Sequence, residues 1–246
     1  MIDVNVNLSR WPFRRVAGDE SSALVSLLRQ HGASQAWAGS FDGLLHKDIS
    51  AVNARLAVDC AAHRGFLLPF GSINPTLPDW QEDLRRVYEV HRMPGIRLHP
   101  NYHGYRLEDP LAAELLAAAA QRKLIVQIAL AMEDDRTQHP LMRVPPVNPA
   151  PLKNIVAKMP QLKLMVLNAG SSAPKFAGVH WDFAMQETPY AVRRVVAAAG
   201  LDWVVFGSHA PLFYFSAATL KMKEAGLPAD REKAILEGNA KRLCCQ

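Results

Sequence analysis

Cysteine is scarce in this chain: Cys60 and the adjacent pair Cys244-Cys245 are the only three in 246 residues. An odd count with no C-x-x-C spacing excludes a disulfide scaffold and a cysteine-built zinc ribbon, and all three thiols are expected to be reduced. Long apolar runs are missing too. The longest, near Leu115 to Ala120, falls well short of the roughly 20 residues a membrane span requires. Runs of one charge sign are also absent. The formal net charge is +5, yet the basic residues are scattered, with doublets such as Arg14-Arg15, Arg85-Arg86 and Arg193-Arg194 and nothing longer. With no zinc-finger spacing and no aromatic RNA-binding motif, a nucleic-acid partner is not expected. A basic surface or a small anionic substrate is the simpler account. The opening Met1-Ile2-Asp3-Val4 carries Asp where a secretory signal carries Lys or Arg, so a cytoplasmic protein without a membrane partner is expected.

What is present is enough to fold. Hydrophobic residues make up 49% and charged residues 21%, a composition that buries a sizeable core and excludes disorder. Short β-rich runs alternate with helical patterns from end to end. Strands are expected at 2–8, 35–41, 66–74, 95–99, 124–130, 162–168, 179–185 and 203–207. Helices are expected between them, several with their own stop or start signals, such as Gly32 and Asp109-Pro110. Eight strand-then-helix units in about 250 residues predict an α/β fold, one (β/α)8 TIM barrel filling residues 1–246, with Val144 to Pro149 as a loop and not a linker.

Alternation on the first strand divides it into two faces, Ile2, Val4, Val6 and Leu8 against Asp3, Asn5 and Asn7. The first set is expected to pack on helices and the second to face the lumen. The same parity sends Arg97 and His99 to one face of the fourth strand, and makes Gln127 the polar interruption of the fifth. Asn168 ends the sixth strand, and His209 lies just past the eighth. One such residue would be an ordinary core polar group. Seven, from five strands, predict a pocket at the C-terminal rim, where barrels carry their active sites. Asp135 and Arg136, after strand five, are expected to touch substrate, whereas His103 and His180 are read as solvated loop residues.

These residues occur in segments that resemble a known family. Ile2-Asp3-Val4-Asn5-Val6-Asn7, Gly95-Ile96-Arg97-Leu98-His99-Pro100, the run Val204 to Pro211 and the ending Ile235 to Leu243 are similar, in order, to the amidohydrolase superfamily. The closest likeness is to its amidohydrolase-related branch of decarboxylases and lactonases. The resemblance implies a distorted (β/α)8 barrel. It also exposes departures, because the first-strand histidines of the family fall on Asn5 and Asn7, the fifth-strand one near Ala129 and the sixth-strand one on Asn168. The eighth-strand aspartate falls on His209. Amides are weak zinc ligands and alanine is none. The expectation is therefore no cofactor and no metal ligands, with a site rebuilt from His99, His103, Asp135, His139 or His209 as the lesser alternative.

The implied function is hydrolysis of a lactone or ester, or decarboxylation, of a small anionic substrate. His209 is expected to serve as general base, with His99 beside it and Gly207 leaving room for substrate. Arg97 and Arg136 would clamp a carboxylate, Asn5, Asn7 and Asn168 would stabilise a developing oxyanion, and Gln127 would line the pocket. The alternative from a different class is a catalytically inactive binding barrel. Self-association into a homo-oligomer is compatible with either reading.

Overall fold

The computed structural model describes residues 1–171 and 173–245. Seven parallel strands pair in chain order: β1 (Ile2–Leu8), β2 (Gln35–Ser40), β3 (Leu67–Ser72), β4 (Gly95–Leu98), β5 (Ile125–Ala129), β6 (Lys163–Leu167) and β7 (His180–Trp181). The expected eighth strand is not regular. Its segment joins the sheet through two single bridges, Trp181 to Val204 and Val6 to Ala210. Backbone bonds from Val205 N to Trp181 O (3.0 Å), Val4 N to Phe206 O (3.0 Å) and His209 N to Asn5 O (2.8 Å) carry the ring from β7 back to β1. The seventh strand is likewise shorter than its apolar run suggested.

Among the described residues ten α-helices accompany the strands: α1 (Ser21–Gln30), α2 (Ile49–Ala62), α3 (Trp80–Arg85), α4 (Pro100–His103), α5 (Pro110–Gln121), α6 (Leu152–Lys158), α7 (Ala191–Ala199), α8 (Phe215–Ala225), α9 (Ala229–Lys233) and α10 (Asn239–Cys245). Pro110 opens α5 as expected, since its missing N–H costs nothing in the first turn. Asp109 does not cap that helix; its carboxylate accepts the Arg106 backbone N–H at 2.8 Å. The helix α7 starts at Ala191 after a left-handed Tyr190. No helix among the described residues is long and apolar enough to cross a membrane. Cys60 is a buried free thiol pushed up to about 12 by desolvation, which leaves it unreactive. The Cys245 side chain lies outside the described residues.

Two apolar clusters divide the interior. The outer one lies between sheet and helices and contains Val6, Leu8, Ile96, Val126, Leu164, Leu28, Leu56 and Leu115. The inner one contains Ile2, Val4, Trp37, Phe70, Ile125, Met165 and Val205, with Ala240 and Leu243 of α10. β1 contributes to both, which strict alternation forbids. The pairing of β1 with β2 shifts between Asp3 and Val6, where two residues of β1 oppose one of β2. This bulge reverses the side-chain parity. Ile2 and Val4 therefore face inward and only Val6 and Leu8 pack on helices, a correction to the uniform alternation read from the sequence.

Candidate functional site

The polar residues of the strand ends meet in the lumen, all of them buried. Asn5 Nδ2 donates to Asn168 Oδ1 at 2.7 Å and to Asp182 Oδ2 at 2.6 Å. Asn7 Oδ1 accepts from Arg97 at 2.9 Å, and Asn7 Nδ2 lies 3.4 Å from His209 Nδ1. Asn168 Nδ2 lies at the same 3.4 Å from that ring nitrogen and donates to Ala131 O at 2.8 Å. Asn5, Asn7, Arg97, Gln127, Asn168 and His209 thus form one connected network. Asn168 and His209 both have positive φ, 58° and 62°, a conformation non-glycine residues adopt at some cost, and one recurrent at functional sites.

Arg97 is the hub. Its Nε donates to Gln127 Oε1 (2.8 Å), Nη1 to Val6 O (2.8 Å) and Asn7 Oδ1 (2.9 Å), and Nη2 to Val4 O (3.2 Å) and Trp37 O (3.1 Å). All five N–H groups are used, so the expected carboxylate clamp is corrected to an internal cross-brace between β1, β2, β4 and β5. A Cβ on Gly39 would come within 2.8 Å of the Arg97 side chain, so β2 has no side chain at that point. Burial pulls the guanidinium down to about 9, against the opposing pull of Asp3 and Asp182, which leaves it charged at neutral pH. Gln127 does not line a substrate pocket either: its Nε2 donates to Val4 O at 2.9 Å and contacts Met165 Sδ at 3.4 Å.

His209 is pinned as well. Its Nε2 lies 2.9 Å from Met132 O, which makes Nε2 the protonated nitrogen and leaves Nδ1 to face the two amides. Desolvation pulls its pKa down to about 4. The ring is neutral, and both nitrogens face protein groups. Gly207 serves packing and not substrate access, because a Cβ there would meet Asp182 at 2.8 Å and Asn5 Cβ at 3.0 Å.

Two buried carboxylates escaped the sequence reading as site residues. Burial pushes Asp182 up to about 6, and its Oδ1 accepts the Asn168 backbone N–H at 2.9 Å. Burial pushes Asp3 up to about 7, where it accepts from Ser208 Oγ at 2.5 Å and from the Ser208 and Asn5 backbones, each at 3.0 Å. The signal for Asp182 was its place directly after β7.

His99 differs from the other two expected catalytic groups. It is buried at the end of β4, and neither ring nitrogen has a partner. Burial, reinforced by His103, Arg97 and His209, holds it neutral. Its ring meets that of His103 edge-on at 6.0 Å. His103 is no solvated loop residue: it is buried, with Nε2 bonded to Gly43 O at 2.8 Å and Nδ1 without a partner. His180 is buried too, beside Trp203. Asn5 Oδ1, Trp11 Nε1, Ser72 Oγ and Tyr105 Oη are further buried polar atoms without a partner. Trp11, carried by the segment after β1, packs edge-on against Phe41 at 5.1 Å and Phe13 at 5.4 Å. An ion pair from Arg14 to the buried Glu133 ties that segment to the loop after β5.

Outside this chamber a cavity of about 550 Å³ opens between the loops after β5 and β6, lined by Glu133, Asp134, Asp135, Arg136, Asn168, Met185 and Glu187 among others. Asn168 belongs both to the network and to the lining of this cavity. Asp135 and Arg136 stand on this rim and not in the network. The Arg136 guanidinium is held by Asp134 at 2.5 Å, with Glu187 at 3.7 Å, so it is not a free clamp.

The amidohydrolase family model matches residues 23–243. A search of curated proteins finds no match. Among solved structures, the chain is similar to 2,6-dihydroxybenzoate decarboxylase from Rhizobium, with 12% identity, 99% of each chain covered and a TM-score of 0.76. It is similar to a dihydroxybenzoic acid decarboxylase from a Polaromonas species, solved with bound manganese and the inhibitor 2-nitroresorcinol (11% identity, 99% of this chain and 97% of that one, TM-score 0.74). A 5-carboxyvanillate decarboxylase from Novosphingobium aromaticivorans, also with bound manganese, is similar at 13% identity, with the same coverage and a TM-score of 0.73. These likenesses establish the fold. The two manganese-bound structures also overturn the expectation that no cofactor goes with this barrel: a divalent metal is the cofactor they point to.

Proposed function

The chain belongs to the amidohydrolase family, and from that premise we propose that it converts a small carboxylate-bearing compound at the C-terminal mouth of its barrel. The reaction is decarboxylation, or hydrolysis of a lactone or ester. Decarboxylation leaves an electron pair on carbon that must take up a proton, and hydrolysis needs a group to accept one from water. Either requires side chains that titrate near neutrality beside groups that can hold the substrate.

The observation that carries this reading is the contrast between His99 and everything around it. In a network whose other polar groups are largely paired, His99 keeps both nitrogens free. An unpaired buried imidazole costs about 1–3 kcal/mol, an expense offset when a ligand meets it. Neutral His99 offers one donor and one acceptor to a substrate, and Asn5 Oδ1 and Trp11 Nε1 add one of each. Asp182, at about 6, is suited to hold or release a proton, with Asn5 and the Asn168 backbone fixing its orientation. Arg97 supplies positive potential from below without touching substrate.

Manganese, which the related decarboxylases carry, acts there as a bound divalent cation that can polarise oxygen ligands. The donors at this centre do not fit such an ion. Asn5, Asn7 and Asn168 are neutral amides engaged with one another and with their neighbours, and His209 faces Met132 O and two amide N–H groups. Among the described residues no group of three or more His, Cys, Asp or Glu could hold a metal ion.

The test is a panel of aromatic carboxylates, lactones and esters, assayed for carbon dioxide or acid release with and without manganese, on the natural chain and on His99→Phe. Turnover that falls by about a hundredfold or more in His99→Phe, with thermal stability kept or raised, is the expected result. Unchanged turnover in the variant overturns it. Saturation of Arg97 and His209 by the protein's own groups favours the second reading, a binding barrel without chemistry. That reading is identified by ligands that raise the melting temperature while no member of the panel is converted.

A further inference from the structure

A second concavity, of about 620 Å³, lies at the opposite end of the barrel, between α5, α6 and the starts of β6 and β7. Conserving stability is the usual task of that face in this fold, yet its construction here differs from a simple packing surface. Three lysines reach it from three separate elements: Lys123 after α5, Lys153 on α6 and Lys163 at the start of β6. No carboxylate is among the lining residues. Lys123 and Lys153 make no side-chain ion pair or hydrogen bond, and Lys163 spends one of its three N–H donors on Leu243 O at 3.2 Å. Asp202, which acts electrostatically on the nearby His180, is itself paired with Arg242 at 2.9 Å. The floor is apolar and includes Trp203, whose ring is buttressed edge-on by His180 at 5.0 Å.

We infer that this groove is a second ligand site, for a small organic phosphate that carries a flat ring, such as a mononucleotide. The volume suits a small ligand, which typically occupies a pocket of about 300–1,000 Å³. Three lysines around one groove whose lining has no carboxylate make it electropositive, which favours an anion. The kind of cation selects the kind of anion. A planar carboxylate is best met by the two-pronged fork of arginine, and no arginine lines the groove. Separate ammonium groups carried by three elements suit a phosphate, whose charge is spread over three oxygens. The Trp203 ring and the aliphatic floor give the flat part of the ligand an apolar seat.

The site is independent of the mouth and is tested on the whole chain by calorimetric titration with AMP, inorganic phosphate and benzoate at low salt. AMP is expected to bind more tightly than phosphate or benzoate. The double variant Lys123→Ala/Lys153→Ala should weaken AMP by at least about tenfold, with a melting temperature close to that of the natural chain because both side chains are exposed and unpaired. Glu187→Gln, at the mouth, should leave AMP binding unchanged. Absence of AMP binding at millimolar concentration overturns the inference. So does binding that the double variant leaves intact, or benzoate binding as tight as that of AMP.

Discussion

At the C-terminal end of the barrel the lumen is filled by polar groups that satisfy one another, with Arg97 and Asp182 as a buried charge and a potential charge. At the N-terminal end it is filled by Ile2, Ala240 and Leu243, and its charges stand outside in a fringe of lysine. The surfaces follow the same division: Glu133, Asp134, Asp135 and Glu187 rim one cavity, while the other has no carboxylate. The apolar end draws its cohesion mainly from excluded water, with His180, which burial pulls down to about 4, as its buried titratable side chain. The polar end depends on geometry, because each group removed there leaves a partner uncompensated in a medium of low dielectric.

The largest expected effect tests that dependence directly. Arg97→Ala leaves five acceptors and two carboxylates without their cation. It should cost more than about 4 kcal/mol in urea unfolding, to the point of preventing folding. A loss below about 1 kcal/mol would mean that the lumen network contributes little. At the other end, Leu243→Ala should cost about 3–4 kcal/mol through the cavity it opens. This loss should be the same at every pH between about 5 and 8, and a pH-dependent loss would erase the contrast.

Asp182→Asn separates the ends by their response to protons. The folded-state pKa of Asp182 is raised from 3.8 to about 6. Its contribution is therefore fully present below 3.8 and is lost as pH rises through about 6. The variant should gain about 2–3 kcal/mol relative to the natural chain between acid and neutral pH, measured as unfolding free energy against pH. His209 acts in the opposite sense. Lowered from 6.5 to about 4, it contributes stability that is present above 6.5 and lost as pH falls through about 4. Acid lability should therefore remain in Asp182→Asn, and its disappearance would remove His209 as the cause. The smallest effect belongs to the rim, where Arg136→Ala should change stability by less than about 1 kcal/mol, since its pair with Asp134 is solvated. A larger change in the melting temperature would make the rim part of the fold's framework.

The sequence made six strands and the meeting of Asn5, Asn7, Asn168 and His209 legible, because side-chain period and strand ends are local properties. It did not reveal what those side chains would spend their hydrogen bonds on. Arg97 looks the same in sequence whether its fork faces substrate or the carbonyls of Val4, Val6 and Trp37, since that choice is made by residues 60 to 93 positions away. Asp182 went unselected because sequence does not distinguish a buried carboxylate from a solvated one in the run 179–185, of which only His180–Trp181 is strand. The irregular run from Val204 to Ala210 has strand-like composition but pairs by single bridges, and composition carries no information on pairing.

The bulge in β1 has a consequence for how the chain tolerates change in length. A single strand here serves two interiors, oily at its base and polar at its tip, and the one extra residue between them is the joint. Inserting one further residue at that joint would turn everything beyond it to the opposite face. Val6 and Leu8 would be delivered into the polar chamber, and Asn7 would be driven among the helices. Frame within this strand is thus as strict as frame within a codon series, whereas the surface loop after β5 can grow or shrink with little thermodynamic cost.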